Sequence, residues 1–411
     1  MALRRTSWRR SGGTGGCWPT TWRSGSPRPS TGSAPDRPGN RLATSMRPAW
    51  VEVDLDSVRS NVRATLGVLR RSTQLLAVVK ADAYGHGAVP VARAAVEAGA
   101  TWLGVALAEE AVHLRAAGLQ VPVLVFGYSS PEAVVEGASQ RVSFTVFSAQ
   151  SLQAAVEASA RSPVGVAVHL KVDTGMTRVG FPPEEAAEVA DRIARTPGLH
   201  LEGVYTHFAC ADTDQSFTVS QLRRFLAVVE ALRARGHHVP FVHAANSAAT
   251  FTLPASHLDL VRVGIALYGL SPGVPAPELR PAMRVVARAV QVRRVPEGTP
   301  VSYGASYRTP RPATIVTVPV GYGDGIPRNL SNRGFASLRG HRVRYAGAVC
   351  MDFLMLDAGD LEVEEGEEVE LVGPAAPAEE LASLCGTIPY EIVTRLGPRL
   401  PRVYRGASPR V

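Results

Sequence analysis

Between residues 51 and about 270 the chain alternates short apolar runs with amphipathic stretches of helical length. Leu75–Lys80, Trp102–Val105, Val123–Phe126, Ser143–Val146, Val164–Val172, Leu201–Thr206, Phe241–His243 and Leu258–Arg262 read as strands. Ala88–Ala98, Ala108–Ala117, Pro131–Ala138, Ala149–Ala160, Pro183–Ala194 and Phe217–Arg235 read as helices, and a further helix opens near Asp56. Eight strands interleaved with helices specify the α/β class and a (β/α)8 TIM-type barrel. After about residue 280 the texture changes. Val285–Val295, Thr314–Val320 and Val369–Val372 are β-branched runs separated by Gly and Pro turns, the pattern of a β-rich C-terminal domain. The expected division is an extension over 1–46, a barrel over 47–280 and a β-rich domain over 281–411. Residues 49–54 are left open to pair with the second domain.

The net charge of +8 invites a nucleic-acid partner, but its distribution argues against one. Residues 1–47 hold nine Arg and one Asp, a net of +8. The remainder holds 35 basic and 35 acidic residues. The basicity belongs to the tail and not to the body. The tail is rich in Arg, Gly, Ser, Pro and Thr, has no apolar periodicity and lacks the apolar core of a signal peptide. A regular pattern starts at Met46, so the expectation is that translation begins there; the alternative is a disordered extension. No apolar run reaches transmembrane length. Three cysteines in the body, with no CxxC spacing, argue against a disulfide framework or a metal site and fit a reducing cytoplasm.

Lysine usage is the sharpest chemical signal. Of 44 Lys plus Arg, only Lys80 and Lys171 are lysine. A drift toward arginine replaces lysine wherever a generic positive charge is enough. It spares lysine where an amine must lose its proton or form a Schiff base, which a guanidinium cannot do. Both survivors fall at the C-terminal ends of expected strands, together with His207, His243 and Arg262. That is the active-site face of such a barrel.

Each strand end carries a short motif. Val79-Lys80-Ala-Asp-Ala-Tyr84-Gly-His-Gly could bring an amine and a phenol into a tight loop. Lys171-Val-Asp-Thr-Gly-Met-Thr-Arg178 offers a guanidinium for a carboxylate or phenolate. Thr206-His207-Phe208 ends another strand. His243-Ala-Ala-Asn246-Ser247 opens a short helix, and Arg262-Val-Gly264-Ile265 follows. Ser247 with free backbone N–H groups makes an anion site, although a serine there more often caps its helix. Singly, each motif is as readily structural as functional.

In combination and in order, these segments resemble bacterial alanine racemase, a fold-type III family dependent on pyridoxal 5′-phosphate (PLP). The resemblance runs from about residue 47 to the end. It also takes in Ser302-Tyr303-Gly-Ala-Ser-Tyr307, Gly321-Tyr322-Gly-Asp-Gly, Cys350-Met351-Asp352 and Pro389-Tyr390-Glu391. It implies that Lys80 binds PLP and serves as one base, and that Tyr303 of a partner chain is the opposite base. Arg178 would meet the cofactor's phenolic oxygen and the substrate carboxylate. Arg262 would face the pyridine nitrogen, and His207 would orient Arg262 and the tyrosine. Tyr84, Ser247, Gly264, Ile265 and Tyr390 would surround the phosphate, and Asn246 would be a further cofactor-binding residue. Met351 of the partner would lie at the substrate carboxylate, and Lys171 matches a lysine carbamylated in many relatives. One departure is Gly323 and Ile326, where many relatives carry Ala and an aromatic residue.

Racemisation removes the Cα proton from one face and returns it to the other, so two bases must flank a planar centre. Tyr303 could act as one only with a phenol pKa well below the reference of about 10; His207 and nearby positive charge are the expected cause of such a shift. The expected enzyme interconverts L- and D-alanine in the cytoplasm as a homodimer, supplying D-alanine for peptidoglycan. No nucleic acid, membrane or metal is expected as a partner. The rival readings are a racemase acting on serine or a broader set, a fold-type III decarboxylase, and a non-catalytic PLP carrier. The decarboxylase lacks its cysteine and acidic motifs here. The carrier leaves the β-rich domain and the Tyr303 and Met351 segments unexplained.

Overall fold

A computed structural model describes residues 47–406, which belong to one compact unit. The reading of the tail as extension or mis-assigned start lies outside the described residues. The first strand, β1 (Ala49–Asp54), precedes the barrel strands β2 (Gln74–Val78), β3 (Trp102–Val105), β4 (Val123–Val125), β5 (Val142–Val146), β6 (Val166–Lys171), β7 (Leu199–Tyr205), β8 (Phe241–His243) and β9 (Leu260–Val263). β2 to β8 pair in sequence, all parallel, and β9 pairs with β2. The ring is completed where Asp259 donates its N–H to the Val242 carbonyl and Arg262 donates to Ala245. Both faces of these strands are covered, so Leu75, Leu76, Leu103, Leu124, Leu170 and Val204 are fully buried. The crossover helices start on side-chain caps: Asp54, Ser130, Ser148 and Asp214 each accept N–H bonds from their own first turns.

The second region comprises β10 (Met283–Arg288), β11 (Gln291–Val295), β12 (Pro300–Val301), β13 (Tyr307–Arg308), β14 (Ala313–Val318), β15 (Phe335–Leu338), β16 (His341–Tyr345), β17 (Leu354–Asp357), β18 (Glu368–Val372) and β19 (Arg402–Arg405). Nine strands form one sheet in the order β11-β14-β17-β16-β15-β18-β10-β1-β19. β1 therefore pairs with β10 and β19, outside the barrel. Val285–Val295, expected as one run, is two strands. The chain leaves β18 after Arg288 and joins β14 from Gln291, with the Ala289 N–H turned to Glu367 and that of Val290 to Thr317.

The segment after β2 is unusual. Ala81, Asp82, Ala83 and Tyr84 all have φ between 51° and 54°, a left-handed turn of four non-glycine residues. Each costs roughly 1–2 kcal/mol relative to the right-handed form, so contacts outside the turn must hold it. Glu110 Oε1 accepts the Ala81 N–H at 2.6 Å, and Asp82 Oδ1 accepts that of Ala88 at 2.7 Å. His86 Nδ1 lies 3.0 Å from the carbonyls of both Ala83 and Tyr84, so it carries a proton; burial pushes the ring's pKa down to about 4. Arg402 of β19 donates to Gly85 at 3.1 Å and also to the carbonyls of Leu396, Gly397 and Leu400. Gly85 has no room for a side chain, because a Cβ would lie 2.5 Å from the Val393 oxygen.

Candidate active site

The C-terminal ends of the barrel strands enclose a cavity of about 360 Å³. Lys80, Tyr84, Lys171, Arg178, His207, Asn246, Ser247, Arg262, Gly264, Ile265 and Tyr390 all line it. Residues from six separate segments thus converge on one space, at the size expected of a small-molecule site. Four of them are cationic, and Asp212 is the one acidic residue in the lining.

Burial and crowding of like charges shape the electrostatics. The Lys80 amine is lowered from its ordinary value by burial and then by Arg178, with Glu110 opposing. Lys171 falls to about 7 through burial, then Arg178 and Arg262. Burial and the same cations push His207 well below the usual histidine range, so its ring is neutral. Arg262 is fully buried and falls to about 10. Arg178 lies at the surface of the cavity with no ion pair among the described residues. A cavity lined by an excess of cations, several of them buried, calls for an anionic occupant.

Arg262 is held on several sides. Its Nη1 lies 3.0 Å from His243 Nδ1. Its Nη2 donates to the carbonyls of Thr206 (2.8 Å) and Ala244 (2.9 Å) and lies 3.2 Å from His207 Nδ1. The guanidinium also sits 5.0 Å from the centre of the Tyr205 ring, which stacks on His243. At the other wall Asn246, not Ser247, caps the short helix Ser247–Thr252, with Asn246 Oδ1 accepting from Ala249 at 3.0 Å. Ser247 is therefore not spent on the cap, the alternative weighed beside its reading as an anion-site residue. Its hydroxyl accepts the Gly264 N–H at 3.1 Å instead. A Cβ on Gly264 would lie 2.6 Å from the Tyr84 hydroxyl, so glycine keeps that wall open.

Tyr303 and Met351 are not in this cavity. They sit in turns of the second region, Tyr303 between β12 and β13 and Met351 between β16 and β17, 75% and 53% exposed, with Tyr322 and Phe353 also exposed. Backbone bonds from Tyr322 to Cys350 and from Gly323 to Met351, and the Ser302 hydroxyl on the Ala348 carbonyl, hold these segments side by side. Sequence reasoning missed Glu110, which supports the Lys80 turn, and Tyr205 and Asp212 in the lining. Tyr205 directly precedes the Thr206-His207 motif and ends a strand, a signal that could have found it.

The chain matches the family models described as alanine racemase, N-terminal domain, over residues 53–272 and alanine racemase, C-terminal domain, over residues 282–404. It is 45% identical over 364 residues to an alanine racemase of Desulfovibrio desulfuricans, covering 87% of this chain and 98% of that protein. The alanine racemase structure from D-cycloserine-producing Streptomyces lavendulae is 41% identical, with a TM-score of 0.83, over 88% of this chain and 97% of that one. The Bacillus anthracis alanine racemase with bound L-Ala-P is 38% identical, also with a TM-score of 0.83, over 89% and 97%. Matched in both domains and across nearly the whole length of these proteins, the chain belongs to the alanine racemase family of isomerases.

Proposed function

We propose that this chain interconverts L-alanine and D-alanine with PLP held in the barrel mouth, using Lys80 and Tyr303 of a second copy as opposed bases. The observation that carries the reading is the meeting of Lys80, Arg178, Arg262 and the Tyr84–Ser247–Gly264 wall in one cation-rich cavity. The donor set suits an aldehyde that bears a phosphate and a phenolate: two amines of lowered basicity, an excess of cations, and a glycine wall that a Cβ would close. When bound, PLP supplies the electron sink that makes the Cα proton of an amino acid removable.

The remaining tasks fall to the chain. Lys80 would hold the cofactor at its aldehyde and, as a free amine once the substrate amine has replaced it there, would carry the Cα proton; both tasks need an unprotonated amine. Ser247, Tyr84 and Tyr390, with Asn246 and Ile265 beside them, would hold the cofactor's phosphate. Arg178 takes the substrate carboxylate and the phenolic oxygen, joined by Met351 of the second copy. Arg262, still cationic at neutral pH, would face the cofactor's ring nitrogen as a donor and so keep that nitrogen unprotonated. His207 accepts from Arg262 at Nδ1, so its proton is on Nε2, which has no hydrogen-bond partner among the described residues. That proton orients the phenol of the second copy's Tyr303. Lys171, lowered to about 7, exposes enough neutral amine near physiological pH to take up CO2. The carbamate would place a negative charge among Arg178 and Arg262.

D-Alanine made this way would serve peptidoglycan in the cytoplasm. No helix among the described residues is long and apolar enough to cross a membrane. The test is an absorbance spectrum of the purified protein with PLP, borohydride trapping, and a D-alanine assay. A reducible visible band with turnover of alanine is expected. A band without turnover would favour a carrier, and no band would remove the cofactor.

A further inference from the structure

We propose that Glu202 and His169 are positioning residues for Arg262, anchoring its guanidinium through a hydrogen-bond chain that crosses the barrel interior in one fixed direction. Arg262 Nη1 lies 3.0 Å from His243 Nδ1, His243 Nε2 lies 2.9 Å from His169 Nδ1, and His169 Nε2 lies 3.1 Å from Glu202 Oε2. The four residues come from β9, β8, β6 and β7. Both histidines are fully buried and Arg262 is 4% exposed. Glu202 ends the chain at a second cavity. Ser143, Gly165 and His200, from the N-terminal ends of the strands, line it, on the side away from the lysines.

The direction follows from valence. A guanidinium only donates, so His243 Nδ1 accepts and the proton of that ring is on Nε2. That proton points at His169 Nδ1, which must accept, and so the His169 proton is on Nε2 and meets the Glu202 carboxylate. Turning either ring over would set two protons or two lone pairs against each other. A doubly protonated His169 would face its Nδ1 proton with that of His243. Ser143 donates to the same carboxylate oxygen at 2.5 Å.

Among the described residues, His243 is the only hydrogen-bond partner of Arg262 Nη1. With Glu202 as the terminal acceptor, the chain keeps His243 Nδ1 unprotonated and Nη1 in place. A buried donor chain lacking its last acceptor would be free to reverse or to leave a proton unpaired, at a cost larger than one bond is worth. The direction of the chain stands without any cofactor. Its effect on turnover rests on the proposed reading of Arg262.

Two measurements test this. Full-length protein labelled with [15N]histidine is examined by ring-nitrogen NMR, with His243→Phe and His169→Phe used for assignment. The expected result is an unprotonated Nδ1 and a protonated Nε2 on both rings. An Nδ1 proton on either, or a doubly protonated ring, would overturn the chain. Glu202→Gln keeps an acceptor oxygen and Glu202→Leu does not. With PLP and alanine, Glu202→Leu should lower kcat roughly tenfold or more, the scale seen when a supporting partner is lost, with KM changed less than about twofold. Glu202→Gln should recover most of that loss. Equal losses in both variants, or none in either, would sink the positioning role even if Glu202→Leu folds poorly, because the NMR result is read on the unsubstituted protein. Failure of the unsubstituted protein to bind PLP would count against the proposed function and leave the chain's direction standing.

Discussion

The barrel mouth keeps its titratable groups buried and mutually perturbed, whereas the Tyr303–Met351 face keeps its groups in solvent. In the mouth, Lys80, Lys171, His207 and Arg262 are all displaced from their ordinary titration ranges by burial and by neighbouring cations, Arg178 among them in every case. Their positions are fixed by strands, carbonyls and rings of the same chain. On the sheet, Tyr303 is 75% exposed on a short turn whose preceding residue, Ser302, has φ +66°. A cluster of exposed Tyr303, Tyr322, Met351 and Phe353 is the kind of surface that marks an interaction site. The difference teaches that one chain by itself sets the perturbed groups of the mouth, whereas Tyr303 and Met351 lie outside that setting in their own chain.

The sharpest break of this comparison is at Lys80. Lys80→Arg should abolish turnover and the borohydride-reducible PLP linkage, because a guanidinium cannot form the imine. An intact linkage in that variant would remove Lys80 from its role. Next comes the division of labour between chains. Lys80→Ala and Tyr303→Phe should each be nearly inactive alone, while mixed dimers should recover up to about half of native activity per dimer if their sites are independent. Verified heterodimers without recovery would refute the shared site. Tyr303→Phe should also leave thermal stability within about 0.5 kcal/mol, since the side chain is exposed.

A smaller effect separates the regions by pH. Folded Lys171 titrates near 7 and the unfolded residue near 10.4. Between those values the unfolded chain binds a proton that the folded chain does not, so stability rises with pH across that window, and the cost is fully present below it. In CO2-free buffer Lys171→Met should flatten the rise and raise stability at pH 6 by on the order of 1 kcal/mol. An unchanged slope in thermal melts would show that Lys171 is not desolvated. The smallest expected effect is that of deleting residues 1–45: kcat and solubility should stay as they were, and a large fall in either would give the tail a role.

The sequence made the barrel legible because each buried strand is a short apolar run bounded by turns, and the site legible because lysine survives at two positions among arginines. The departures are tertiary in origin. Val285–Val295 is evenly β-branched, and nothing local marks Ala289–Val290 as the point where the chain changes neighbours. Asn246 and Ser247 are both good caps, and only the approach of Gly264 decides which one is left for the cavity. Glu110 lies in an ordinary surface helix pattern, and its bond to Ala81 joins segments 29 residues apart. His169 and Glu202 alternate with apolar residues in their strands, and periodicity alone does not show that they meet.

The left-handed turn beside Lys80 has a consequence in terms of chirality. A positive φ near 52° is strained for an L-residue and is the relaxed helical value for its mirror image. Ala81 and Ala83 thus hold, in L-residues, the backbone shape natural to D-alanine. A chain made by chemical ligation with D-alanine at both positions would keep the same turn without its steric cost, and would need Glu110 and Arg402 less. Within a family that inverts alanine, the lysine loop is itself written against the handedness of its own residues.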